Sequence, residues 1–167
     1  MSEVSSRPDG NGNWTPVEQR AKTVTERKDS ARSEQEQVYR PDTNGKLVLS
    51  ERDLRSYQKD ASGREYWTTE TYGGKITGFY PMEGLQLERK VTVVREKLPD
   101  GSERTTQRVA ERNIQDRPAG LKPAQETVTT SKPAGGGMTD VVIEVREADV
   151  NGNMKTVATQ KMRVSDR

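Results

Sequence analysis

Short runs in which apolar and polar residues alternate, separated by Asn, Asp and Gly, recur along the whole chain. Glu36-Gln37-Val38-Tyr39-Arg40 and Leu47-Val48-Leu49-Ser50-Glu51 flank Asn44-Gly45, while Leu54 to Gln58 and Tyr66 to Glu70 flank Ser62-Gly63. A period of two marks strands with one face turned differently from the other. Asn-Gly and Asp-Gly between such runs predict tight type I′ hairpins, because both central residues of that turn need φ > 0. The predicted turn positions are Asn11 and Gly12, Asn44 and Gly45, Ser62 and Gly63, Asp100 and Gly101, and Asn151 and Gly152.

The runs also repeat. Arg7-Pro8-Asp9-Gly10-Asn11-Gly12-Asn13-Trp14 returns 33 residues later as Arg40-Pro41-Asp42-Thr43-Asn44-Gly45-Lys46-Leu47, and the same offset carries Glu18 onto Glu51 and Tyr39 onto Tyr72. Lys59-Asp60-Ala61-Ser62-Gly63-Arg64-Glu65 reappears, degraded, as Lys97 to Arg104, each ahead of a Thr-Thr pair, Thr68-Thr69 and Thr105-Thr106. Asp149-Val150-Asn151-Gly152-Asn153-Met154 is a third copy of the first turn. The expectation is two full units, a diverged third from Tyr80 to Arg112, and a final hairpin. Thr15 to Lys22 and Asp29 to Gln37 also suit a helix by composition, but the repeat equates the first window with Val48 to Arg55 and favours strands.

This pattern divides the chain into a hairpin-repeat region, 1–112, a Pro/Gly-rich linker, 113–138, and a C-terminal hairpin, 139–167. Gly73 to Pro81 interrupts the repeat and predicts a bend or boundary. Arg117-Pro118-Ala119-Gly120, Lys122-Pro123 and Lys132-Pro133-Ala134-Gly135-Gly136-Gly137 carry the linker reading, with Glu126 to Thr130 able to add one edge strand. In the last hairpin Asp140 to Arg146 faces Lys155 to Met162. Val141, Val142 and Ile143 form the most apolar run of the chain and are expected to be covered on both faces. With Val145 and Val157 they are the candidate assembly strands, since an isolated hairpin is marginally stable and must pack on something.

Composition thins the expected core. Of the 167 residues 29% are hydrophobic and 32% charged, mean hydropathy is −1.04, and 28 Lys and Arg against 26 Asp and Glu leave a net charge of +2. Low hydrophobicity with balanced, interleaved charge and recurrent Thr, Val and Tyr favours an ordered, ion-paired sheet over disorder. The fold class expected is all-β: repetitive antiparallel hairpins in a meander, forming an extended thin-core sheet or sandwich.

Absent chemistry narrows function further. With no Cys and no His, thiolate nucleophiles, Cys-based metal sites and the commonest general base are missing, so no enzyme, catalytic residue or cofactor is expected. Asp-x-Asn-Gly invites a calcium reading, but position 12 from Asp9, Asp42 and Asp149 is Arg20, Asp53 and Gln160, where a calcium loop wants Glu; no metal is expected. Basic residues interleaved with acids, as in Arg95-Glu96-Lys97, form no single-sign patch for nucleic acid. Gly135-Gly136-Gly137 lacks the Lys and Ser/Thr of a phosphate loop. The aromatics Trp14, Tyr39, Tyr57, Tyr66, Trp67, Tyr72, Phe79 and Tyr80 read as cross-strand packing, with glycan stacking as the functional alternative. No run is long and apolar enough for a membrane span, and Met1-Ser2-Glu3-Val4 does not begin a signal peptide.

The Asp-x-Asn-Gly-x-apolar turns with Tyr-ended strands resemble the uncharacterised repeat proteins that many bacteria encode for the cell surface, and are similar to the YD repeats of Rhs proteins, although the Tyr-Asp pair is absent and the unit is longer. The likeness spans 7–112 and the last hairpin. It implies an extracellular or cell-surface, β-rich, non-catalytic protein. The expected function is that of a structural filament or surface-assembly subunit, self-associating by head-to-tail strand contacts at the N-terminal stretch and the C-terminal hairpin. A monomeric glycan- or surface-binding β module is the alternative.

Overall fold

A computed structural model describes residues 1–26, 31–73, 84–112 and 120–165. They form ten strands: β1 (Ser2–Pro8), β2 (Trp14–Glu26), β3 (Arg32–Pro41), β4 (Leu47–Lys59), β5 (Glu65–Gly73), β6 (Gln86–Lys97), β7 (Glu103–Arg112), β8 (Leu121–Gly135), β9 (Met138–Ala148) and β10 (Met154–Ser165). All ten lie in one antiparallel sheet in the order of the sequence, a meander that does not close into a barrel. Each strand touches its sequence neighbours and almost nothing else, so among the described residues no second layer covers either face.

Both windows that suited a helix are strand: Thr15 to Lys22 lies in β2, and the described part of Asp29 to Gln37 in β3. The stretch read as a linker contains β8, at 15 residues the longest strand, and it is paired on both sides rather than at an edge. Its prolines sit where a ladder can lose a donor. Pro123 adjoins the register break opposite Val109 and Ala110, and Pro133 adjoins the break before Gly135. The interruption at Gly73 to Pro81 lies, apart from Gly73 at the end of β5, outside the described residues.

The 33-residue offset has a structural counterpart that the sequence does not display. Every even-numbered strand carries one extra residue opposite the odd-numbered strand before it: Val17 on β2, Ser50 on β4, Glu88 on β6, Ala124 on β8 and Val157 on β10. These β-bulges set five strand pairs in register, spaced by 33, 38, 36 and 33 residues. The terminal hairpin is therefore a fifth complete unit.

The residue facing each bulge is, in order, Ser5, Val38, Thr71, Val109 and Val145. Two side chains of the bulged strand crowd over one of its neighbour there. The only buried hydrophobics among the described residues are two of these five, Val38 and Val109, at 4% and 7% exposure. Elsewhere burial is partial, and Val141, Val142 and Ile143, expected to be covered on both faces, are half-buried.

Cross-strand partners share a face. The face carrying Val38 and Val109, here the front, also carries Lys22, Glu34 and Arg55 on three successive strands, with Glu34 bonded to Lys22 at 2.9 Å and to Arg55 at 2.8 Å. On the back face Glu126 holds the same place between Arg108 at 2.6 Å and Arg146 at 3.0 Å. Glu96 likewise lies between Arg64 and Arg104. In each case a carboxylate is clamped by cations from both sides, which pulls it below its ordinary value of 4.5: Glu34 chiefly through Lys22, Glu126 through Arg108 and Glu96 through Arg104. Each exposed pair adds only a few tenths of a kcal/mol, to about 1. The aliphatic stems of the same side chains shield the sheet that no second layer covers.

Candidate functional site

Two features of this sheet are available to chemistry or to a partner: the hairpin ends and the outer edges. At the hairpin ends the predicted turn residues fall in turns, but of a different type. In Asp42-Thr43-Asn44-Gly45 the Gly45 N–H donates to the Asp42 carbonyl at 3.0 Å, and the Asp42 N–H donates to the Lys46 carbonyl at 2.8 Å. The turn thus begins one residue earlier than a type I′ turn centred on Asn44-Gly45, and Gly45, at φ 79°, is its fourth residue. Asp9 to Gly12, Asp60 to Gly63, Leu98 to Gly101 and Asp149 to Gly152 repeat this bonding, a type I turn closed by a left-handed glycine.

The turn acids have a task within this geometry. Asp9 Oδ1 accepts the N–H groups of Asn11 at 2.8 Å and Asn13 at 2.9 Å, and Asp42, Asp60 and Asp149 do the same two and four residues ahead. Asp100 stands two places later in its turn and accepts from the Ser102 amide and hydroxyl. The bonds hold four of these carboxyls below their ordinary value of 3.8. The leading cause is the Asn13 amide for Asp9, the Ser62 hydroxyl for Asp60, the Ser102 hydroxyl for Asp100 and the Lys155 ammonium for Asp149. The backbone amides of Asn11, Asn44, Ser62 and Asn151 fill the same place, so the bond accounts for the recurring Asp rather than for the residue two places on.

The faces offer less convergence. Tyr57 and Trp67 meet on the front with ring centroids 5.2 Å apart, and the Arg95 guanidinium lies over Trp67. Tyr66 and Tyr72 project from the back, where Arg52 lies 4.5 Å from the Tyr72 ring centre. These aromatics are divided between two faces. Also on the back, Thr25, Ser33, Ser56, Thr68 and Thr92 follow one register line across five strands, four of them bordering a shallow depression of about 530 Å³.

The edges are β1 and β10, each paired on one side only among the described residues. Of the candidate assembly residues, Val141, Val142, Ile143 and Val145 lie on β9, whose ladders are taken by β8 and β10; Val157 lies on β10 as its bulge residue. Outer-edge apolar side chains are exposed, Val4 at 53%, Val157 at 54% and Val164 at 41%. Between Met154 and Ser165 the charged residues are Lys155, Lys161 and Arg163, with no acid. Arg163 is tied back to Asp140 and Lys155 to Asp149. Strand β1 carries one charge of each sign, Glu3 and Arg7, and ends on Pro8. Of the stretches expected to carry assembly, the N-terminal one is the edge strand β1 and Val157 lies on the edge strand β10, whereas Val141, Val142, Ile143 and Val145 lie one strand further in.

Among the described residues no helix is long and apolar enough to cross a membrane. Compared with protein families, curated proteins and solved structures, the chain finds no match in any of the three.

Proposed function

We propose that this chain is a non-catalytic structural subunit whose copies join edge to edge by strand addition into an extracellular or cell-surface filament. The observation that carries the reading is that, among the described residues, β1 and β10 each lack a second neighbour and bound a one-layer sheet with two buried apolar side chains. Strand edges present free N–H and C=O groups that a further strand satisfies. Because the meander has ten strands, β10 of one copy and β1 of the next run in opposite directions, as every internal pair does. Copies therefore meet antiparallel with the same face outward, a head-to-tail contact that does not close on itself in a sheet of open ends.

Electron microscopy and sedimentation across a concentration series test this. Filaments are expected, with an axial repeat of about 48 Å, ten strands at roughly 4.8 Å each. Monodisperse single particles at every concentration would sink the proposal.

A further inference from the structure

Four strand pairs join one unit to the next: β2 with β3, β4 with β5, β6 with β7, and β8 with β9. Their registers, counted from the bulges, are identical. Arg20 faces Val38, Asp53 faces Thr71, Val91 faces Val109, and Thr127 faces Val145. In each pair the first residue lies three beyond the bulge residue of its strand, and the second is the residue that faces the next bulge. The facing side chains differ at all four junctions and the unit length varies from 33 to 38 residues, yet the step does not change.

Resting on the assembly reading above, we propose that the joint between copies is the fifth junction of this series: β10 of one copy pairs with β1 of the next so that Gln160 faces Ser5. Gln160 is three residues beyond the bulge at Val157, and Ser5 faces the bulge at Val17.

The hydrogen-bonding groups agree with this register. Met1 exchanges both backbone bonds with Lys22, so by alternation Ser2, Val4 and Ser6 turn theirs to the open edge. The Asp149 to Asn153 bond sets the same alternation on β10, and beyond its bulge Thr159, Lys161 and Arg163 turn theirs outward. The joint sets Val4 against Lys161, Ser2 against Arg163 and Ser6 against Thr159, free groups meeting free groups. Pro8, which has no N–H, falls at the end of the ladder beside the bulge.

The side chains agree as well. Glu3 faces Met162 and Arg7 faces Ala158, so no charge meets its like. A second β10 would instead set side by side two strands whose only charges are the cations Lys155, Lys161 and Arg163. That edge rejects itself and accepts the mixed β1.

The chain has no cysteine, so introduced thiols report the joint alone. Ser5 and Gln160 are both exposed, and their facing pair is the non-hydrogen-bonded kind, with Cα atoms close enough for a disulfide. Equimolar Ser5→Cys and Gln160→Cys chains, mixed at filament-forming concentration and oxidised mildly, are expected to form the mixed disulfide at least about tenfold faster than Ser5→Cys mixed with Met162→Cys or Ala158→Cys, where a two-residue slip carries the thiols out of bridging range. The doubly substituted chain should give a ladder of multimers on a non-reducing gel. Faster bridging to Met162→Cys or Ala158→Cys would overturn the register, and Ser5→Cys bridging mainly to itself would overturn the head-to-tail joint. Filaments of the unsubstituted chain without bridging in any mixture would overturn the joint and leave the structural-subunit reading standing. Single particles with no bridging would overturn both.

Discussion

At the turns, one residue carries the backbone strain and another carries the bonds. Gly63 sits at φ 83° with open space where a Cβ would go, so an alanine there meets no neighbour and is opposed by conformation alone. Gly63→Ala is expected to cost about 1–2 kcal/mol, the penalty of a left-handed L-residue, whereas Gly10→Ala, in open space at an ordinary φ, should leave the urea midpoint unchanged. The acids predict a pH profile. Asp9, Asp60, Asp100 and Asp149 at the turns, and Glu34, Glu96 and Glu126 between their cations, are all held below their ordinary values. The unfolded chain binds more protons than the folded one in the window between. These groups therefore contribute fully above their ordinary values of 3.8 and 4.5, and the contribution is lost as pH falls through the lower folded values. With no His, no side chain with an ordinary pKa titrates from about pH 5 to 8. Thermal melts followed by circular dichroism should give a flat midpoint across that range and a steep fall below about pH 4.

At the scale of the strand, the bulge is the organising unit. It packs two side chains over one, and where that one is Val a small core forms. Val109→Ala removes two buried methyl equivalents and is expected to cost about 1.5 kcal/mol. Val24→Ala, at 43% exposure and away from any bulge, should cost clearly less in the same denaturant titration. How far the strands were legible follows from what marks them. Hairpins such as Gln37 to Ser50 announce themselves through alternation and an Asn-Gly turn, and the 33-residue offset exposes the repeat. The bulges announce nothing: Val17, Ser50, Glu88, Ala124 and Val157 share no chemistry, because the position asks for an extra backbone residue rather than a particular side chain. Strand β8 was legible only as the edge-strand candidate Glu126 to Thr130, because Pro123 and Pro133 signal a linker until the register breaks beside them are known. The turns were located correctly to within a residue and given the wrong type, since Asn-Gly serves a type I turn with a closing glycine as well as a type I′ turn.

For the sheet as a whole, contacts among the described strands run almost entirely between sequence neighbours, so stability should behave as a one-dimensional chain of strand pairs. The outer strands have one neighbour and the inner ones two. Amide hydrogen exchange is expected to be fastest in β1 and β10 and slowest in β5 and β6, and uniform protection across the sheet would contradict that picture. The assembly candidates divide at this scale: the N-terminal stretch and Val157 fall on the outer strands β1 and β10, the remaining four on β9. Val141 to Val145 stood out by apolarity, yet an edge is a property of strand order, and β9 has a strand on either side.

The constant step at the four junctions means that the sheet keeps no record of its own length. Removing one unit, or copying one in, would leave the first and last strands with the same direction, the same outward face and the same offset for whatever follows. Size in such a protein is open to change by duplication, while the ends stay compatible with those of every shorter or longer version.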